Sequence, residues 1–111
     1  LRELLELAPA HTAHIKMNRG ELLTPAWTGD ESVTGGYLFE TPIHMFDMMR
    51  FQFGEIASLD ARLSGKNEFS MLVEFTSGMH ATFVTAAYAS WFFPYERVEV
   101  FGEYSTIETA E

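Results

Sequence analysis

From Ile56 to Thr109 apolar and polar residues alternate with a period of two, and the alternation breaks at Thr76-Ser77-Gly78 and at Gly102-Glu103-Tyr104. A period of two sends successive side chains to opposite faces of a pleated strand, and short glycine-bearing turns join antiparallel neighbours. This half of the chain is therefore expected to be a sheet with one wetter and one drier face. Ile56 to Ser64 sets Ala57, Leu59, Ala61 and Leu63 against Ser58, Asp60, Arg62 and Ser64, the signature of a half-buried strand. Phe69 to Phe75 and Met79 to Ala89 should form one hairpin, and Tyr95 to Phe101 with Ser105 to Thr109 a second.

The first half reads differently. Leu1, Leu4, Leu5 and Leu7 recur at helical spacing until Ala8-Pro9, where proline removes a backbone donor and ends the helix. The sequence opens inside this pattern without an initiator Met, as expected of a domain cut from a longer chain or of a processed product. A short strand follows over His11 to Met17, with Ala13, Ile15 and Met17 on one side and His14 and Lys16 on the other. Asn18 to Gly36 has no sustained period and carries five glycines and prolines, so it reads as a long loop, and long loops in compact domains are often functional. From about Leu38 to Phe53, Phe39, Ile43, Phe46, Met49 and Phe53 mark a core-facing helical stripe that Gly54 closes as a C-cap. A helical start followed by sequential strands predicts one α+β domain over 1–111: a predominantly antiparallel open sheet with helices on one face.

The other face is expected to pair with a second copy. Met79 to Ala89 places Met79, Ala81, Phe83, Ala87 and Ala89 on one side but Val84, Ala86 and Tyr88 on the other, so neither side is strongly polar. A second layer within the chain would cover such a face; a homodimer or higher homo-oligomer is the preferred reading, because exposed apolar faces of this kind mark association surfaces. The formal charge of −9, with Lys and Arg totalling 7 and scattered singly, excludes a nucleic-acid or anionic-membrane partner that needs a basic patch. No apolar run approaches the roughly 20 residues of a membrane span, and the absence of cysteine excludes a disulfide framework and suits a cytoplasmic location.

Residues capable of chemistry are densest between Gly35 and Asp47. On a helix of about 100° per residue, Glu40, His44 and Asp47 fall within roughly 60° of one another, opposite Phe39, Ile43 and Phe46. A carboxylate one turn from an imidazole can orient the ring and favour its protonated form, as a general base requires, although an exposed acid–His pair is more commonly just solvated. Trp27 and the aromatic group Trp91 to Tyr95 offer faces for stacking on sugars; filling the core or an interface is the plainer use of the same residues. His11, His14 and His80 match no metal-ligand spacing, and no metal is expected.

The run Gly35-Gly36, Glu40, His44, Asp47 and Arg50 to Ile56 resembles the carboxy-terminal domain of the glucose-fructose oxidoreductase, inositol dehydrogenase and rhizopine-catabolism family (Gfo/Idh/MocA). Phe75 to Ala81 is similar to that family's hairpin with a turn glycine, and Val98 to Ile107 to its Val-x-Val-x-Gly-x-x-Gly-x-Ile segment, so the likeness covers most of the chain. It implies a catalytic His44 that takes the hydroxyl proton as hydride leaves the same carbon for a nicotinamide. Glu40 would steer the imidazole or a substrate hydroxyl, and Trp27 and Asp47 would stand on the substrate side; Asp47 has a second reading, as support for the helix and its local hydrogen bonds.

The sequence also departs from that pattern. The family more often has Asp where Glu40 stands, Ser105 replaces the second glycine of the strand segment, and Lys16 and Lys66 are the sole lysines, neither in a Glu-Lys-Pro motif. No Gly-x-Gly-x-x-Gly turn is present, so NAD or NADP would belong to the full-length parent and no cofactor to this chain alone. The expected function is the substrate-binding and pairing domain of an oxidoreductase acting on a sugar or polyol. A non-enzymatic ligand-binding or interaction module of the same fold is the alternative.

Overall fold

The computed structural model describes residues 1–7, 9–18, 43–65, 68–86 and 96–110. Its elements are α1 (Arg2–Leu7), β1 (Thr12–Asn18), α2 (Ile43–Phe53), β2 (Ile56–Leu63), β3 (Glu68–Phe75), β4 (His80–Ala86), β5 (Glu96–Gly102) and β6 (Ser105–Ala110). The strands form a six-stranded sheet in the order β2-β3-β4-β1-β5-β6. Both expected hairpins are present, β3 with β4 and β5 with β6. Every pairing is antiparallel except that of β1 with β4, which is parallel and sets Ala13 beside Ala81 and Ile15 beside Phe83. Parallel neighbours need a long crossover. Here α2 and the β2-β3 pair lie between them in sequence, and β1 ends in the middle of the sheet.

Alternation sorts the side chains into two faces. Ala13, Ile15 and Met17 of β1, Met71, Val73 and Phe75 of β3, Ala81 and Phe83 of β4, and Val98 and Val100 of β5 are buried together with Leu5 of α1 and Met45 and Met49 of α2. Both helices therefore lie on one face, as the α+β reading expects. Phe46 meets Phe83 and Phe53 meets Phe75 edge to face, each pair with ring centroids 5.5 Å apart, which runs α2 obliquely from the Phe83 region toward the end of the sheet where Phe75 lies. The expected stripe is rotated: Met45 and Met49 hold the centre, Phe46 and Phe53 flank it, and Ile43 is exposed. Phe39, the long loop expected over Asn18 to Gly36, and the helix start lie outside the described residues.

On the opposite face the register aligns rows across the strands. One row reads Arg62, Ser70, Val84, Lys16 and Arg97, and the next Asp60, Leu72, Thr82, His14, Glu99 and Glu108. Arg62 pairs with Asp60, and Arg97 Nε lies 3.0 Å from Glu108 Oε1, so these cations are held within the face. His14 Nδ1 is 2.6 Å from the Thr82 hydroxyl, and Thr12 donates to the His80 carbonyl at 2.7 Å. Phe83 is fully buried and Val84 is 40% exposed, which places the former in the core and the latter outward, as expected. Edge strand β2 departs from its alternation. A bulge between Ile56 and Ser58 shifts its register, and Leu59 and Leu63, opposite Val73 and Phe69 on the helix face, remain exposed beyond the reach of α2.

Candidate functional site

The described part of the site is the outer side of α2. Gly54, at φ +95°, ends the helix in the left-handed conformation, and its N–H donates to the Arg50 carbonyl at 3.0 Å, closing the last turn. Because Met45 and Met49 must face the sheet, His44 and Asp47 are turned to the surface, and both are exposed. Phe51 lies on the same outward stripe two turns beyond His44 and is 66% exposed. Glu40 and Trp27, the other two expected site residues, lie outside the described residues, as do Trp91 to Tyr95.

Asp47 is drawn into a local ion network. Arg50 Nη1 is 4.0 Å from Asp47 Oδ1, while the guanidinium donates to Glu55 from Nε at 3.2 Å and from Nη2 at 3.1 Å. Glu55, first by this hydrogen bonding and then by its charge, holds the Arg50 guanidinium above its ordinary value. Arg50 thus ties the last turn of α2 to the start of β2.

Two cavities border α2. One, of about 260 Å³, lies at its carboxy-terminal end between Leu5, Glu6, Pro9, Ala10, Gln52 and Phe53. The other, of about 180 Å³, lies under its amino-terminal flank, between Met45 and Met48 above and Glu96, Val98 and Thr109 of β5 and β6 below. Met48 follows His44 by four residues and stands about 40° from it around the helix, so the second cavity lies on the flank next to the outward stripe, and His44 does not line it. Glu96 is in register with the buried Met17, and Thr109 with the buried Val98, which puts both on the helix face. Neither residue stands out in the sequence; only the strand register brings them under α2. A volume of 180 Å³ is smaller than the ~300–1,000 Å³ of a complete small-molecule site.

Other candidate chemistries find less. Among the described residues no group of three or more His, Asp and Glu side chains converges as a metal site. The described glycines Gly54, Gly65, Gly78 and Gly102 each lead into a strand rather than a helix amino terminus, so these turns do not fit the pyrophosphate of a dinucleotide. No described helix is long and apolar enough to cross a membrane.

The same fold occurs in solved structures. A probable dehydrogenase from Thermotoga maritima superposes with a TM-score of 0.78 at 22% identity, over 98% of this chain and 36% of that one. A myo-inositol dehydrogenase from Corynebacterium glutamicum gives 0.76 at 18% identity over 98% and 35%, and a levoglucosan dehydrogenase in complex with NADH and L-sorbose gives 0.80 at 19% over 97% and 34%. The chain thus spans about a third of the length of these structures. No curated protein matches it. The profile of the GFO/IDH/MocA C-terminal domain matches residues 6–108 of the 111, and the chain belongs to that family.

Proposed function

We propose that this chain is the substrate-binding and pairing domain of an NAD(P)-dependent oxidoreductase that acts on a hydroxyl of a sugar or polyol, and that His44 is its general base. The observation that carries the reading is the position of His44: exposed on the outer side of α2, in a chain of the GFO/IDH/MocA family. Related folds have been captured with NADH and L-sorbose, and with NADH and UDP-GlcNAcA, which supports the substrate and cofactor classes. The dinucleotide would be held by another part of the parent protein, since the described turns do not fit it; a cytoplasmic enzyme suits the cysteine-free composition.

In this reading a ring nitrogen of His44 accepts the proton of the substrate hydroxyl as the carbon is oxidised. Its surface position lets it meet a substrate closed in from outside, and Asp47 stands on the same outward stripe. Glu40, four residues earlier in the sequence, is assigned to orient the ring or a neighbouring hydroxyl. Trp27 is assigned to the substrate side as a stacking face. The test is His44→Ala in the full-length enzyme. Turnover of the alcohol should fall by roughly 10²- to 10⁴-fold, the usual worth of a positioned base. Near-normal kcat in a folded variant would remove His44 from the chemistry.

A further inference from the structure

The outer edge of β2 carries a self-complementary sequence. Ser58-Leu59-Asp60-Ala61-Arg62-Leu63-Ser64 reads the same in both directions about Ala61, except that Asp60 on one side answers Arg62 on the other. β2 is the outermost strand of the described sheet and pairs, among the described residues, with β3 alone. Its other side presents an open backbone, and the hydrogen bonds show which groups point there. Ser64 N–H donates to the Glu68 carbonyl at 3.2 Å, so in the antiparallel ladder every second residue from Ser64, namely Arg62 and Asp60, also bonds toward β3. The N–H and C=O groups of Leu59, Ala61 and Leu63 therefore point outward. The side chains of these three residues stand on the helix face, where Leu59 and Leu63 remain exposed beyond the reach of α2, and Asp60 and Arg62 stand on the opposite face.

We infer that the β2 edge is an association surface whose occupant is the β2 edge of a second copy, set antiparallel about a two-fold axis at Ala61. An isologous contact needs a patch that complements itself, and this one does. In that register Leu59 meets the partner's Leu63, Asp60 the partner's Arg62, and Ser58 the partner's Ser64. Each outward N–H finds an outward carbonyl, because the residues brought opposite one another belong to the same alternating set. The leucines make cross-strand pairs in the strip that α2 leaves bare. Arg62, which pairs with Asp60 of its own strand, gains the partner's Asp60 as well; the contact within the strand is between exposed side chains, so sharing it costs little. Charge also fixes the register. A slip of two residues sets Asp60 opposite the partner's Asp60, or Arg62 opposite the partner's Arg62, and a slip of one sets Leu59 opposite the partner's Arg62. Open edges invite indiscriminate pairing; here the charges, with the bulge between Ile56 and Ser58, restrict the edge to one partner in one register. The seam is a single strand pair, narrower than the ~1,600 Å² of a standard interface, so the association is weak and reversible. It uses a different surface from the open sheet face and does not rest on pairing through that face.

The test is charge exchange in the full-length protein carrying Val84→Asp, which keeps the open face out of the measurement, with association read by sedimentation equilibrium up to hundreds of micromolar. The Val84→Asp protein should associate reversibly. Adding Asp60→Arg or Arg62→Asp should weaken that association by about tenfold or more, since like charges then oppose each other at both symmetry-related positions. Adding both together should restore it, and mixing the two single-exchange proteins should give a heterodimer with opposite charges at every contact. Both residues are exposed, and rescue by the double exchange separates a lost contact from a damaged fold. A Val84→Asp protein that stays monomeric throughout, single exchanges that associate within twofold of it, or a double exchange no better than the single ones overturns the inference. Association of the wild type but not of Val84→Asp sinks the edge and keeps the open face. Equal association of the two, lost with either single exchange, supports the edge and sinks pairing through the open face.

Discussion

Gly102 and Tyr104, two residues apart in one turn, show opposite relations between a side chain and its backbone. A Cβ on Gly102 would lie 2.8 Å from the Pro9 carbonyl oxygen and 2.8 Å from Ser105 Oγ. The hydroxyl can rotate away; the carbonyl belongs to the segment that His11 pins to strand β5 through its N–H to the Phe101 carbonyl at 2.8 Å. Gly102→Ala should therefore destabilise the chain by roughly 1–3 kcal/mol, as overpacking against backbone does, seen as a lower urea midpoint at constant slope. Tyr104 is the reverse case: φ is +58° and the side chain is fully exposed, so strain is present and no contact is made. Asparagine tolerates that conformation, and Tyr104→Asn should raise stability by about 0.5–1 kcal/mol, a fraction of the usual left-handed penalty. Gly102 was legible in the sequence as a family glycine, though as a pattern and not as the close approach of Pro9. The strain at Tyr104 had no signal, because the reading of Gly102-Glu103-Tyr104 as a turn did not say which residue takes positive φ.

At the scale of elements, α2 shows where periodicity stops being informative. Ile43, Met45, Phe46, Met48, Met49, Phe51 and Phe53 are apolar on nearly every side of the helix, so spacing alone allows several core-facing stripes. The choice is made by the sheet, whose Phe83 and Phe75 receive Phe46 and Phe53 and leave Met49 fully buried between them. Two substitutions separate the observed stripe from the expected one. Met45→Ala should cost about 2–5 kcal/mol through lost burial and the cavity left behind, while Ile43→Ala, at a position 39% exposed, should cost under about 1 kcal/mol. Comparable losses from both, measured by urea unfolding, would rotate the helix back to the expected face. The outward stripe with His44 and Asp47 was legible because polar residues are scarce in this helix and conspicuous. The cavity walls Glu96 and Thr109 were not, since they reach α2 only through the pairing of β1 with β5 and of β5 with β6. The parallel pairing of β1 with β4 was hidden for a like reason: Ala13 and Ala81 lie far apart in the sequence and are joined only by the sheet register.

For the molecule as a whole the open question is what covers the second face of the sheet. The helices bury one face; Leu72, Val84 and Phe101 stand on the other, 48%, 40% and 37% exposed, from β3, β4 and, across β1, β5. Around them Arg62 pairs with Asp60 and Arg97 with Glu108 within the face, where Glu74 and Glu99 also stand, so a second copy would meet apolar side chains set among ions of which these two pairs are neutralised. Such a surface can be desolvated at less cost than one of isolated charges. A specific interface of this kind buries on the order of 1,600 Å² in total. Val84→Asp is the diagnostic change. In the single chain the new carboxylate lies in register with Lys16 on the exposed face of β4, so the fold should be little affected; in a face-to-face pair it would be buried at the contact, and association should weaken by at least tenfold. Phe83→Asp, one residue away but in the core, should instead unfold the chain. Sedimentation equilibrium decides the matter: a wild type that stays at 12.6 kDa at tens of micromolar, with no dependence on concentration, would mean that this face needs no partner.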